Sequence, residues 1–484
     1  MSPDTLLLAA VFLPLASGPL IAITGASPNL RETVTVIAGV ITFGFVLCIS
    51  NLVNDGVQPA VTLMELVPGL SLQLKVEPLG MIFSLIASGL WIATSIYSVG
   101  YMRGHGESNQ TRYYFFFAVA ITAALGVAYA GNLLTLFVFY EVLTLSTYPL
   151  VTHERTEEAM RGGRVYMGIL ISTSVAFLLW AVIWTYHLAG TLDFVDGGIL
   201  AGRADVPTLT FLLALFAFGT GKAALMPFHR WLPAAMVAPT PVSALLHAVA
   251  VVKAGVFSVM KIAVYVFGID TLNSMGLSQW LQYVAGGTIL ISSLIAMTKD
   301  NLKARLAYST VSQLSYIVLG AALANELGVL GGSLHIVTHA FGKITLFFCA
   351  GAIIVGAHKT EISDMRGLGR RMPFTFGAFL LGSLSIIGLP PFAGAWSKWY
   401  LLLAALDADQ LILVGVLLVS SLLNIAYLLP VAVTGFFAPP EGEEGGLKEA
   451  PVACVLPLCF TAASCIILFF YLDPFLALAR RIGG

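Results

Sequence analysis

Charge is scarce in this chain: acidic and basic residues together make up 10% of it, against about 25% in soluble domains. The two signs nearly cancel, 24 Lys and Arg against 25 Asp and Glu. A net charge of −1 leaves no basic tract to hold nucleic acid and no long charged tail to serve as a disordered binding arm. Cysteine is equally sparse. Cys48, Cys349, Cys454, Cys459 and Cys465 include no CxxC pair and all stand in apolar stretches, where a thiol is a small filler rather than a metal or redox ligand. What is abundant is apolar surface, 58% hydrophobic residues and a mean hydropathy of +0.92, which places the chain in a bilayer.

Apolar runs of about 18 to 30 residues, each long enough to cross a hydrocarbon core of roughly 30 Å, recur fourteen times. Their expected limits are 4–23, 33–53, 79–101, 113–131, 133–150, 165–188, 208–237, 241–267, 279–298, 303–324, 327–356, 374–403, 411–437 and 451–472. The first is too long for a signal-peptide core and has no basic n-region, so it is read as a retained span. With both termini outside, the inner loops collect most of the basic residues, Arg103, Arg112, Arg155, Arg161, Arg164, Lys303 and Arg371 among them, and the outer side keeps only Lys75, Arg203, Arg480 and Arg481. One missed span would scramble that separation. The expected fold is therefore all-α and polytopic.

Two spans break their own helical pattern. Span seven contains Pro227 and Pro233, with Pro239-Thr240-Pro241 downstream, and span twelve contains Gly388-Leu389-Pro390-Pro391. Proline removes a backbone donor and clashes with the preceding turn, so each break frees carbonyls that need protein or water partners and predicts a hydrated pocket. Interrupted helices five spans apart point to two inverted five-span repeats, with the working groups near the midplane. The expected division is 1–112 as a three-helix N-terminal segment, 113–267 as the first repeat, 279–437 as the second, and 451–484 as the last helix and tail.

Ionisable residues inside spans are costly, about 2.5 to 3.5 kcal/mol each at the bilayer centre on insertion scales, unless a partner or water receives them. Glu141, Lys222, His247, Lys253, His335, His339, Lys343 and Lys398 all stand there. Glu141 has no basic residue in its own span, and Lys222 is its expected partner; separating the two would drive a proton off the lysine. His247 and Lys253, six apart, are expected on roughly opposite faces of span eight, with Lys261 snorkelling near its outer end. His335, His339 and Lys343 follow i, i+4, i+8, so one stripe of span eleven carries three groups able to take and release protons. Haem ligation would want histidines on two facing helices, and no second histidine helix matches this one. Zinc is disfavoured because no carboxylate or thiolate accompanies the histidines. The stretch His153–Arg164 and the acidic turn with Glu441, Glu443 and Glu444 read as solvated loops, the first a candidate subunit contact.

The run Gly221-Lys222-Ala223-Ala224-Leu225-Met226-Pro227-Phe228-His229-Arg230-Trp231-Leu232-Pro233-Ala234-Ala235, followed by Ala238-Pro239-Thr240-Pro241-Val242-Ser243-Ala244-Leu245-Leu246-His247, resembles the signature of the antiporter-like membrane subunits. That family is shared by respiratory complex I, membrane-bound hydrogenases and Mrp sodium/proton antiporters, and the resemblance covers nearly the whole chain. It implies that Glu141 is the helix-five glutamate, Lys222 the helix-seven lysine, Lys253 the connecting residue of helix eight, and Lys343 with Lys398 the second half-channel. Within the family the chain is similar to fourteen-span core subunits. Lys398, where the M-type subunit of complex I carries glutamate, favours the D-type subunit of Mrp. The resemblance implies a proton-translocating part of a multisubunit Na+/H+ antiporter, with a redox-driven pump of the complex I or hydrogenase type as the alternative. It also implies no cofactor, metal or redox site in this chain, and as partners other membrane subunits, protons, sodium as a second candidate ion, and lipid. A self-sufficient solute transporter would need a selective polar pocket beyond these groups, and the sequence offers none.

Overall fold

The computed structural model describes residues 1–67, 69–439 and 446–483; the acidic turn at Glu441, Glu443 and Glu444 lies outside the described residues. Helices α1 (Pro3–Ile23) and α2 (Pro28–Asn54) are followed by a hairpin of β1 (Ala60–Val67) and β2 (Leu70–Lys75). Next come α3 (Pro78–Gly104), α4 (Gln110–Ala128), α5 (Leu133–Val151), α6 (Glu157–Ala189) and α7 (Val206–Gly219). The remainder are α8 (Thr240–Phe267), α9 (Gln279–Met297), α10 (Leu302–Ala322), α11 (Glu326–Ala357), a two-part α12 (Pro373–Ile387 and Gly394–Asp407), α13 (Leu411–Phe437), α14 (Val452–Phe470) and a short α15 (Asp473–Ala479).

Among the described residues eleven helices are long and apolar enough to cross a membrane. The other three expected spans are α10, whose first turn is diluted by Lys303 and Arg305, and the two broken ones. The chain is a polytopic all-helical membrane protein with one small sheet.

Local chemistry explains where the helices begin. The Asn132, Asn301 and Asn325 side chains accept from the backbone N–H three residues on, at 2.8, 3.1 and 2.8 Å, opening α5, α10 and α11. Thr156 does the same for α6, with Glu157 and Glu158 complementing the helix dipole. The stretch expected as a solvated loop from His153 is thus helical from Glu157, and His153 itself is only 1% exposed.

Burial sets the layers. Every residue in the apolar window of α8 is buried, against 33% in that of α13, so α8 is a central post and α13 faces lipid. The histidine-bearing α11 packs against α10, α12, α14 and the first part of α8, which brings the two central helices side by side.

Two features differ from expectation. After Gly219 the second arm of span seven is not one continuous helix but a run of short helical turns, Gly221–Ala223, Trp231–Ala234 and Ala235–Val237, because Pro227 and Pro233 each remove a donor that a continuous helix would need. The hairpin was not expected at all, although Leu70-Ser71-Leu72-Gln73-Leu74-Lys75 alternates with a period of two. It docks on the end of α5, with Gln73 N–H donating to Thr135 Oγ1 at 2.8 Å and Asn132 Nδ2 to Ser71 O at 2.7 Å.

Candidate functional site

The broken span seven places Lys222. α7 ends at Gly219, and the turn that follows presses the chain against α8, where Gly255 lies so close to the Lys222 backbone that any Cβ there would overlap it. The Gly221 carbonyl accepts from Trp231 Nε1 at 2.9 Å as well as from the Ala224 N–H at 3.0 Å, so protein donors satisfy it. Lys222 is fully buried. Its backbone N–H donates to Tyr140 Oη at 3.0 Å, and its Nζ donates to Tyr140 O at 2.8 Å and Thr144 Oγ1 at 2.5 Å while lying 3.2 Å from the centre of the Tyr140 ring.

The expected Glu141–Lys222 contact is therefore corrected in detail. Lys222 does reach α5, but Tyr140 and Thr144, four residues apart on one face, receive it, and none of the ion pairs among the described residues joins it to Glu141. Glu141 Oε1 is buried without a hydrogen-bond partner.

On α8, His247 sits in a π-helical turn, Leu245–Val249, with both ring nitrogens unpartnered and its ring 4.6 Å from that of Phe347 on α11. Lys253 Nζ lies 2.6 Å from His339 Nδ1, also on α11. The expectation that His247 and Lys253 serve opposite faces fails. The extra residue of a π turn shifts the helical phase, and the lysine's four-carbon stem reaches the same neighbour.

Along α11, His335 and His339 have ring centres 5.7 Å apart, and His335 Nδ1 lies 2.9 Å from Ser397 Oγ on the second part of α12. Lys343 turns toward α10, donating to Ser309 Oγ at 2.6 Å, and Ser309 in turn meets Tyr427 Oη of α13 at 2.9 Å. The other broken helix holds Lys398, whose Nζ donates to the freed Ile387 carbonyl at 3.0 Å and to Ser421 Oγ at 3.3 Å, 5.0 Å from the Tyr316 ring centre. Here the break opens a cavity of about 750 Å3, but its walls, which include Pro390, Trp399 and Phe469, are mainly apolar.

Sequence reasoning missed several groups. Tyr140, Thr144, Ser309, Tyr316 and Ser397 contact the ionisable side chains directly, each from a helix other than its partner's, so no spacing in the sequence marked them. It also misread Lys261. That residue does not snorkel: it is fully buried, ion-paired with Glu77 at the start of α3, and donates to Ala130 O at 2.6 Å. Glu77, next to Pro78, lies just outside the third expected span, 79–101. Outside the spans, burial raises the Glu154 carboxyl above its usual range and lowers His153, the latter against the opposing pull of Glu107.

Buried polar atoms without a protein partner include Glu141 Oε1, both nitrogens of His247, Nε2 of His335 and of His339, the whole amide of Gln313 and Asn424 Nδ2. Such atoms in a bilayer interior call for water. Alternating titratable groups and water sites can pass protons sideways through the chain.

The profile described as NADH:quinone oxidoreductase/Mrp antiporter, transmembrane, matches residues 130–424. The chain is similar to NADH-quinone oxidoreductase subunit N of Desulforudis audaxviator, 34% identical over 80% of this chain and 76% of that protein. It is 30% identical to hydrogenase-4 component B of Escherichia coli over 82% of this chain and 62% of the longer component. Among solved structures, its fold is similar to that in the Mrp complex of a Dietzia species, with a TM-score of 0.88 at 22% identity, covering 100% of this chain and 97% of that one. It is also similar to a chain of the archaeal membrane-bound sulfane sulfur reductase, with a TM-score of 0.87 at 24% identity, covering 99% and 96%. These relatives and neighbours are components of multisubunit membrane assemblies. The chain belongs to the NADH:quinone oxidoreductase/Mrp antiporter transmembrane family.

Proposed function

We propose that this chain translocates protons as one subunit of a multisubunit cation/proton antiporter in a bacterial or archaeal cell membrane, with both termini outside. The observation that carries the reading is the 2.6 Å contact between Lys253 and His339, because it joins the helices that hold Lys222 to those that hold Lys343 and Lys398. In this reading Glu141 modulates Lys222, protons pass by His247 and Lys253 to His339 and His335, and exchange occurs at Lys343 or Lys398. A proton moves between such groups only where hydrogen-bonded partners or water close the gaps, and the unpartnered nitrogens of His247, His335 and His339 point to where water stands.

Two inverted five-span repeats are supported by a shared contact. Lys222 of broken span seven lies over Tyr140 of α5, and Lys398 of broken span twelve lies over Tyr316 of α10, so the same residue pair recurs five spans later. Sodium is the candidate counter-ion. A redox-driven pump is the second reading, and the sequence relatives from NADH-quinone oxidoreductase and hydrogenase-4 favour it.

Sodium-dependent proton flux in everted vesicles that contain the whole native complex separates the two. Flux without an electron donor that disappears in Lys222→Ala supports exchange through this chain; flux that begins only when a donor is supplied moves it to the redox-driven pumps. Undiminished flux in assembled Lys222→Ala complexes removes the chain from the proton path.

A further inference from the structure

The relay has a gap on α10. Ser309, which holds Lys343 Nζ at 2.6 Å, and Tyr316, which stacks on His335 with ring centres 5.4 Å apart and lies under Lys398, are seven residues apart. Seven residues of α-helix span about 10.5 Å, far too long for one proton transfer. Among the described residues, no hydrogen bond runs from Lys343 to either His335 or Lys398.

Gln313 stands between them. Ser309, Gln313 and Tyr316 follow i, i+4, i+7 and so share one face of α10. Gln313 is fully buried, and neither its Nε2 nor its Oε1 has a protein partner. A buried amide left without partners costs stability, and natural structures satisfy such groups with ordered water. The same face of α10 continues the polar line: Ser309 Oγ, one turn before Gln313, meets Tyr427 Oη at 2.9 Å, and Asn424 Nδ2, three residues before Tyr427 on α13, is also buried without a partner.

We propose that Gln313 is a positioning residue for proton transfer, holding the water that links Lys343 to the His335 and Lys398 end of the relay. The inference rests on the translocation reading above. An amide suits this place because it offers two donors and an acceptor but cannot titrate. It orders water on both sides without binding the proton in transit. A carboxylate at the same point would pair with Lys343 and hold the proton there.

The test compares Gln313→Leu and Gln313→Met, which keep the volume and remove the amide, with Gln313→Asn, which keeps the amide on a shorter stem. The readout is proton flux in vesicles containing the whole complex, normalised to assembled complex on native gels. The apolar variants are expected to lose flux about tenfold or more. Gln313→Asn should keep a substantial fraction, because a further water fills the missing methylene, and Gln313→Glu should fall as far as Leu. Wild-type flux in either apolar variant overturns the proposal, and so does Gln313→Asn falling as far as Leu in equally assembled complexes. Lys343→Met in the same vesicles tells the two failures apart: flux lost there but not in Gln313→Leu removes Gln313 alone, whereas flux kept in both takes the Lys343 branch, and Gln313 with it, off the proton path.

Discussion

Lys253 Nζ of α8 lies 2.6 Å from His339 Nδ1 of α11. An ammonium there donates to the Nδ1 lone pair, which leaves the ring proton on Nε2, the nitrogen that has no protein partner. The pair is thus arranged to accept on one side and release on the other. Lys253→Met and His339→Leu should each lower proton flux by about 10²- to 10⁴-fold. Because both act in one step, the double variant should be no slower than the slower single. Losses that multiply would show two independent routes.

Thr144 keeps Lys222 off Glu141. Its hydroxyl takes Lys222 Nζ at 2.5 Å, while the Tyr140 carbonyl takes a second donor at 2.8 Å. Thr144→Val removes one acceptor and frees the ammonium to close on the carboxylate, where a buried pair is hard to reopen. Flux should fall about tenfold, with assembly intact, and Thr144→Ser should retain it because the hydroxyl stays. Equal flux in Thr144→Val and wild type would show that this contact does not hold the lysine.

How much of this was legible in the sequence follows from the physics of each signal. Hydrophobic length marks spans reliably, since a bilayer imposes one dimension on all of them, and all fourteen expected positions hold helical segments. Proline marked the two breaks for the same kind of reason. Side-chain pairing is another matter. That Lys222 meets Tyr140 and Thr144 rather than Glu141, or that Lys253 meets His339, depends on how α5, α7, α8 and α11 pack, and periodicity within one helix carries no information about its neighbour. The Lys261–Glu77 pair was hidden because each residue alone looked peripheral. The hairpin was visible in its alternation but was masked by the expectation of helices everywhere.

That misread pair makes a stability prediction. Lys261 is fully buried, and Glu77 is its counter-charge. Removing one partner strands a charge in the interior, so Glu77→Gln should cost about 3–5 kcal/mol, whereas Glu77→Leu with Lys261→Met should recover most of it. Thermal denaturation of the purified complex measures both. A double variant as unstable as the single would mean that the contacts to Ala130 and the Phe194 ring, rather than charge balance, hold this corner.

His153 ties the loop after α3 to the end of α5 in a pH-dependent way. Its Nε2 lies 2.9 Å from Ser108 O, its carbonyl accepts from Arg112 Nη2 at 2.7 Å, and its Nδ1 is buried without a partner. Neutral histidine fits: Nε2–H donates to Ser108, and Nδ1 carries only a lone pair. Protonation places a proton on Nδ1 with nothing to receive it, and burial, outweighing the attraction of Glu107 at 3.8 Å, holds the His153 pKa below its ordinary 6.5. A folded pKa below the unfolded one means that the unfolded segment binds more protons as pH falls. The tie is therefore complete above about pH 6.5 and weakens as pH drops through the lower folded value. Protection of residues 105–112 and 152–156 against hydrogen–deuterium exchange, corrected for the pH dependence of the intrinsic rate, should fall between about pH 7.5 and about pH 5.5. His153→Gln, which keeps a donor for Ser108 and cannot titrate, should flatten the response. Equal acid loosening in His153→Gln would assign the switch instead to the adjoining His105–Glu107 pair or to Glu154, whose carboxyl burial already raises.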